Sequence, residues 1–252
     1  MKTILKRIVD FFEKAKKDHV SAYAAQSAFF LMLSMIPMIL LLLTLVQYTP
    51  ISKADVMKAA YEFFPTSVRT TIVSIIHEVY ESTPKTLPFT TIVVIWSAGR
   101  GTLAITNGLN CVYGEEETRT YIYLRVRAGI YTLLLLVAIL LCLLFLGFGN
   151  GFSMLHAMIS ICLLITFSVF VYKFLPNHDT VWKEQVPGAV FTAFGWIVAS
   201  YIFSVYIDIF KGFSDMYGSL TTIIIIMLWL LFCMYILLLG GEVNVLWKRK
   251  KK

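Results

Sequence analysis

Six stretches of this chain, at 22–47, 87–107, 128–148, 154–174, 188–207 and 218–241, are each apolar for about 20 residues or more. That is the length a helix needs to cross the roughly 30 Å of hydrocarbon in a bilayer. In lipid a backbone N–H or C=O finds no water, so each crossing must be a helix that satisfies its own backbone. The expected fold is all-α: a polytopic membrane helix bundle of about six transmembrane helices, forming a single membrane domain over residues 1–252. Composition agrees, with 58% hydrophobic and 15% charged residues where a soluble domain carries about a quarter charged.

The intervening segments have their own patterns. Ile4, Leu5, Ile8, Phe11, Phe12 and Ala15 recur at helical spacing among Lys2, Lys6, Arg7, Lys14 and Lys17. They predict an amphipathic helix over 2–17, within an inner-face segment 1–20. Such a helix either lies in the headgroup layer against anionic lipid or packs on the protein's own loops. The basic stretch before the first run, and the run's full length, predict a retained span rather than a cleaved signal. Residues 51–84 are too polar to span. Ser52 and Thr66 as caps, Pro65 as a stop, and Val68, Ile72, Ile75, Ile76 and Val79 on one face predict an outer amphipathic helical hairpin.

Lysine and arginine set the orientation. Lys53, Lys58, Arg69, Lys85 and Lys211 fall on one side, and the other 17 of the 22 fall on the side shared by both ends of the chain. Both ends are therefore expected in the cytoplasm and the protein in the inner (cytoplasmic) membrane. Membrane lipids are the expected partners, with anionic lipid at the basic N- and C-terminal segments. The net charge of +7 is accounted for by this placement, so no nucleic-acid partner is expected.

Catalytic machinery is not visible. Glu115, Glu116 and Glu117 form the only acidic cluster, read as a solvated charge run neutralised by Arg119, Arg125 and Arg127. The histidines His19, His77, His156 and His178 fall in different segments. There is no HExxH, phosphate loop, GxSxG or dinucleotide fingerprint, so no catalytic residue, metal or cofactor is expected, and the chain is not read as an enzyme. Cys111, Cys142, Cys162 and Cys233 read as small buried hydrophobes.

Charges inside spans carry more information, because each costs several kcal/mol unless paired or wetted. Arg100 is the deepest, about seven residues or roughly 10 Å from the inner end of its span. It either holds an anionic headgroup or counter-ion, or serves an ion pair, or snorkels to the interface. Glu242 closes the last span, where Arg100, Arg125 or Arg127 are its expected partners. Pro37 should kink the first span. Gly99, Gly101, Gly188, Gly195 and Gly218 are candidate packing or hinge positions, since small residues let helices approach closely in lipid.

Several segments together resemble a known family. They are Ala24-Ala25-Gln26-Ser27-Ala28-Phe29-Phe30 with Ser34 to Pro37, Leu109-Asn110-Cys111-Val112-Tyr113-Gly114, and Phe174-Leu175-Pro176-Asn177. Val186-Pro187-Gly188-Ala189, Tyr217-Gly218-Ser219-Leu220 and Leu238-Leu239-Gly240-Gly241-Glu242 follow in order. The chain resembles the bacterial YihY/BrkB group, also labelled virulence factor BrkB and once ribonuclease BN; Gly241 stands where family members often carry alanine. The resemblance implies a six-helix inner-membrane protein of poorly defined activity, with export or flipping of lipid-like molecules proposed for relatives. The ribonuclease label looks like a misassignment, in keeping with the absence of a nuclease motif. Two functions stay open: a transporter or flippase of a lipid-like or ionic substrate, and a non-transporting scaffold for an envelope assembly.

Overall fold

A computed structural model describes residues 2–46, 52–54, 56–58, 73–74, 76–77, 80, 87–131, 134, 154–178, 181–209 and 219–251. Among them there is no strand, and nearly all are helical. The helices are α1 (Lys2–Lys17), α2 (Val20–Val46), α3 (Leu87–Tyr113), α4 (121–131), α5 (Met154–Phe174), α6 (Trp182–Ile209) and α7 (Ser219–Lys251). The stretches Trp182–Tyr206 and Ile223–Lys248 are each long and apolar enough to cross a membrane; Val20–Met35 and Ile161–Phe174 are shorter apolar helical stretches.

The bundle is built around α7, which packs against α1, α2, α3 and α6, while α5 packs on α6 and α2 lies along α3. Small residues make these contacts. Ala24, Ser27 and Ala28 of α2 are buried. A Cβ on Gly108 of α3 would come within 2.9 Å of Tyr23 Cβ, and one on Gly101 within 3.1 Å of the Leu31 side chain. Large apolar side chains face outward instead, among them Phe194, Tyr201 and Ile202 on α6 and Ile224 and Phe232 on α7. Small and polar inside with apolar outside is the pattern expected when lipid, not water, is the solvent.

Helix α1 packs on the bundle along one face. Ala15 is buried and Phe11 touches the core, while Val9 and Phe12 are exposed. The break to α2 is at His19, whose φ of 52° is in the left-handed region. His19 O then accepts from Ala22 N and Tyr23 N at 3.0 and 3.1 Å, opening α2 in a new direction.

Three helices run past the apolar stretches that announce them. α3 continues beyond 107 to Tyr113, α6 begins at Trp182 with Pro187 inside it, and α7 continues through Gly240-Gly241-Glu242 to Lys251. Hydropathy marks where hydrocarbon ends; a helix ends only where its backbone loses its partners. The expected span 128–148 lies largely outside the described residues beyond 131, as does most of the expected hairpin 51–84. Within the latter, the described 53–54, 56–58, 73–74, 76–77 and 80 are helical, and Lys53 Nζ lies 3.1 Å from His77 Nδ1. Of the cysteines, Cys233 is buried and Cys111 partly so. Cys162, expected buried, is exposed on the flank of α5.

Candidate functional site

Two places gather chemistry: a polar knot where α3, α5, α6 and α7 meet, and Arg100 at the middle of α3. The knot forms where α6 crosses α7 at Gly188 and Gly240. A Cβ on Gly188 would overlap the Gly240 carbonyl, and one on Gly240 would overlap Tyr172 Oη and Thr192 Oγ1. The close crossing lets Gly188 N donate to Asn244 Oδ1 at 2.6 Å. Asn244 Nδ2 donates to Gln185 Oε1 at 3.0 Å, and Tyr113 Oη donates to the same oxygen at 2.6 Å. Tyr172, fully buried, donates to Leu237 O at 2.6 Å and shares a hydrogen bond with Thr192 Oγ1 at 2.5 Å. Buried polar groups are tolerable only when partnered in this way.

A second layer ties in the connection after α3. Asn110 Nδ2 donates to Glu117 Oε2 at 2.7 Å, and Asn110 Oδ1 accepts from Asn177 N at 2.7 Å. Arg119 grips Glu117 through Nε and Nη2, each at 2.6 Å. That fork, with the Arg119 and Asn110 N–H donors, holds the Glu117 carboxyl below the ordinary carboxylate value against the opposing effect of partial burial. Glu115 pairs with His178 Nδ1 at 2.7 Å, His178 stacks on Tyr113, and Lys248 Nζ lies 3.2 Å from His178 Nε2. The glutamates expected as a solvated run are thus two structural ligands, Glu115 and Glu117, flanking an exposed Glu116. Arg125 and Arg127 are not among their ion-pair partners in the described residues; their Nε atoms donate to Tyr121 Oη and Tyr131 Oη, each at 2.8 Å.

Glu242 also has a partner other than those expected. Its side chain is 0% exposed, and Lys14 Nζ of α1 donates to its Oε2 at 2.5 Å. The same ammonium donates to Asp18 Oδ2 at 2.6 Å and to Val112 O at 3.1 Å. Glu242 Oε1 has no hydrogen-bond partner. Arg100, Arg125 and Arg127 were expected here; Lys14 takes the place because α1 docks its last turn against the ends of α3 and α7, which no local pattern announces.

Arg100 is the central residue of the 27-residue helix α3, about 20 Å from either end of that helix. Its guanidinium lies 4.4 Å from the Trp96 ring centroid and 5.5 Å from that of Phe30, a cation–π seat. No carboxylate among the described residues pairs with it. Trp96 is 54% exposed, so the pair sits on a flank of the bundle. A Cβ on Gly99 would come within 3.8 Å of Ala128 Cβ, and Gly101 faces Leu31.

Arg125 keeps one nitrogen, Nη1, buried without a partner. Arg127 lines a space of about 10 Å³, room for a single water, with Thr102, Thr106, Leu124, Ala128, Tyr131 and Leu175. Gly195 packs on Ile236, Pro37 lies within α2 with its backbone helical, and Gly218 is outside the described residues. Sequence reasoning missed Gly108, Gly240, Lys14, Gln185 and Asn244; the polar residues so close to an apolar run were the available signal. Among the described residues, no three His, Cys, Asp or Glu side chains are grouped as metal ligands.

Comparison with known proteins adds a family. Residues 11–252 match the family model described as virulence factor BrkB. A Bacillus subtilis protein named putative ribonuclease-like protein YfkH is 33% identical over 263 residues, covering 96% of this chain and 95% of the relative. A UPF0761 membrane protein of Idiomarina loihiensis is 32% identical over 79 residues, 31% of this chain and 28% of the relative. One of Vibrio cholerae is 32% identical over 76 residues, 30% and 26%. No solved structure matches the chain.

Proposed function

We propose, since this chain belongs to the virulence factor BrkB family, that it is a multi-pass protein of the cytoplasmic membrane that moves an anionic amphiphile, with Arg100 as the contact for its headgroup. The supporting observation is a guanidinium at the centre of α3, held over Trp96 and Phe30 and paired with no carboxylate among the described residues. An arginine in hydrocarbon costs at least about 2.5 kcal/mol unless something compensates it. A phosphate offers two oxygens to its planar fork, and Gly99 and Gly101 add no side chain around it. Because Trp96 is on the flank, the headgroup approaches sideways from the bilayer. The ribonuclease in the B. subtilis relative's name is not carried over, since the two-metal mode of phosphodiester cleavage needs clustered carboxylates.

The test is leaflet exchange of a fluorescent phosphatidylglycerol in vesicles holding the purified chain, read by dithionite quenching. Wild type speeds quenching of the inner-leaflet lipid. Arg100→Ala slows it about tenfold or more, the scale of losing a charge-assisted contact, while remaining monodisperse. Arg100→Lys restores little, because a point charge lacks the fork. Rates equal to empty vesicles for wild type, or full rates for Arg100→Ala, defeat the reading.

A scaffold is the second reading. The observation in its favour is that four of the segments carrying the family resemblance, 109–114, 174–177, 186–189 and 238–242, meet in the polar knot. Those residues serve architecture there rather than a ligand.

A further inference from the structure

We propose that the buried carboxylate of Glu242 is a binding site for a monovalent cation. Its present occupant is the ammonium of Lys14, and a free cation replaces that ammonium when α1 lifts from the bundle. The Lys14 ammonium sits as a bound cation does, among Glu242 Oε2, Asp18 Oδ2 and Val112 O at 2.5, 2.6 and 3.1 Å. Val112 O is among the last carbonyls of α3, the negative end of that helix. Two carboxyl groups share this one ammonium.

The second observation is on Glu242 itself. It is fully buried, and its Oε1 has no partner even with Lys14 in place. The other titratable groups near it are the Cys111 thiol and the Tyr113 hydroxyl, with the amides of Gln185 and Asn244 beyond.

The occupant is tethered rather than built in. Lys14 and Asp18 both belong to α1 and its terminal turn, and their side chains are 19% and 17% exposed where that of Glu242 is 0%. The outward face of α1 carries Val9 and Phe12, which suits the helix equally to a headgroup layer. When α1 leaves, Lys14 and Asp18 enter solvent together, and Glu242 is left as an unpaired buried anion. Such a charge is neutralised by whatever cation can reach it. Either a proton adds to a carboxylate oxygen, giving the acid, or an alkali-metal ion binds the two Glu242 oxygens and Val112 O. The shared chemistry is exchange of one positive charge for another. It holds whether or not Arg100 meets a headgroup, so a failure of lipid movement leaves it standing.

Three forms of the full chain in detergent test it: wild type, Lys14→Met, which keeps the methylenes and drops the charge, and Lys14→Met with Glu242→Gln. Thermal unfolding is followed at about pH 8 and about pH 5.5 in N-methylglucamine chloride, and at about pH 8 in sodium or potassium chloride of equal ionic strength. At the higher pH without alkali ion, Lys14→Met melts about 10 °C below wild type, the scale of a broken buried pair. It regains at least half of that loss in the acidic arm if a proton is the replacement, or in the sodium or potassium arm if a metal ion is. The double variant melts above the single one and responds to neither. A Lys14→Met variant that ignores both arms overturns the proposal, as does a double variant that responds like the single. If Lys14→Met yields no folded protein, folding of the double variant supports the site, and failure of both overturns it.

Discussion

At the scale of single residues, the side chains that matter most here are polar ones inside an apolar molecule, and several are held by partners far away in the chain. Lys14 and Glu242 are 228 positions apart. Polarity within an apolar run was enough to single out Arg100 and Glu242 from the sequence. Their surroundings were not legible, because the partner is set by which helix ends come together. Glu117 allows a direct test. Its carboxyl lies below the ordinary value mainly because of the Arg119 fork. A depressed carboxyl contributes stability that is fully present above its unfolded value, about 4.5, and that fades as pH falls through the lower folded value. Wild type should therefore exceed Glu117→Gln in thermal stability at neutral pH, and the gap should close in acid below the ordinary carboxylate range. A gap that persists unchanged far below that range contradicts the pairing.

At the scale of elements, the apolar runs located the helices and not their ends. Residues 108–113, 182–187 and 242–251 continue helices that hydropathy alone would stop. Buried polar side chains in them are satisfied by neighbouring helices rather than by water, as Tyr113 is by Gln185 and Asn244 by Gly188 N. The closest approach between elements, at Gly188 and Gly240, sets the α6–α7 crossing. Gly240→Ala places a Cβ into Tyr172 Oη and Thr192 Oγ1, both already committed to the hydrogen bond between them. We expect overpacking of about 1–3 kcal/mol, plus part of the lost hydrogen bonds, seen as a lower melting temperature in detergent. Gly114→Ala provides the contrast: nothing crowds its Cβ, so its smaller loss is the backbone cost of a φ of +71° alone. Equal effects at the two positions would contradict the crossing geometry.

At the scale of the whole molecule, the all-helical class and the family were both legible, the first from the length of the runs and the second from short segments in order. Which helix sits at the centre was not. Apolar content alone does not mark the hub; α7 takes it because Gly240 and Asn244 face α6 while Glu242 faces α1. The proposed topology is read from the basic residues: a reporter fused after Lys252 should be active only as a cytoplasmic reporter, and one placed within 51–84 only as an external one. The reverse pattern at either position would break the six-span arrangement.

The central place of α7 also has a bearing on biosynthesis. Ribosomes deliver the hub of this bundle after its spokes. Until α7 is inserted, Tyr172 lacks Leu237 O, Gly188 N lacks Asn244, and Lys14 lacks Glu242. In the proposed six-span topology the early helices therefore wait side by side in the membrane with open polar positions, which in lipid are costly. We expect a chain truncated before residue 219, the start of α7, to leave these polar positions unmet and to be less stable in the membrane than the full chain.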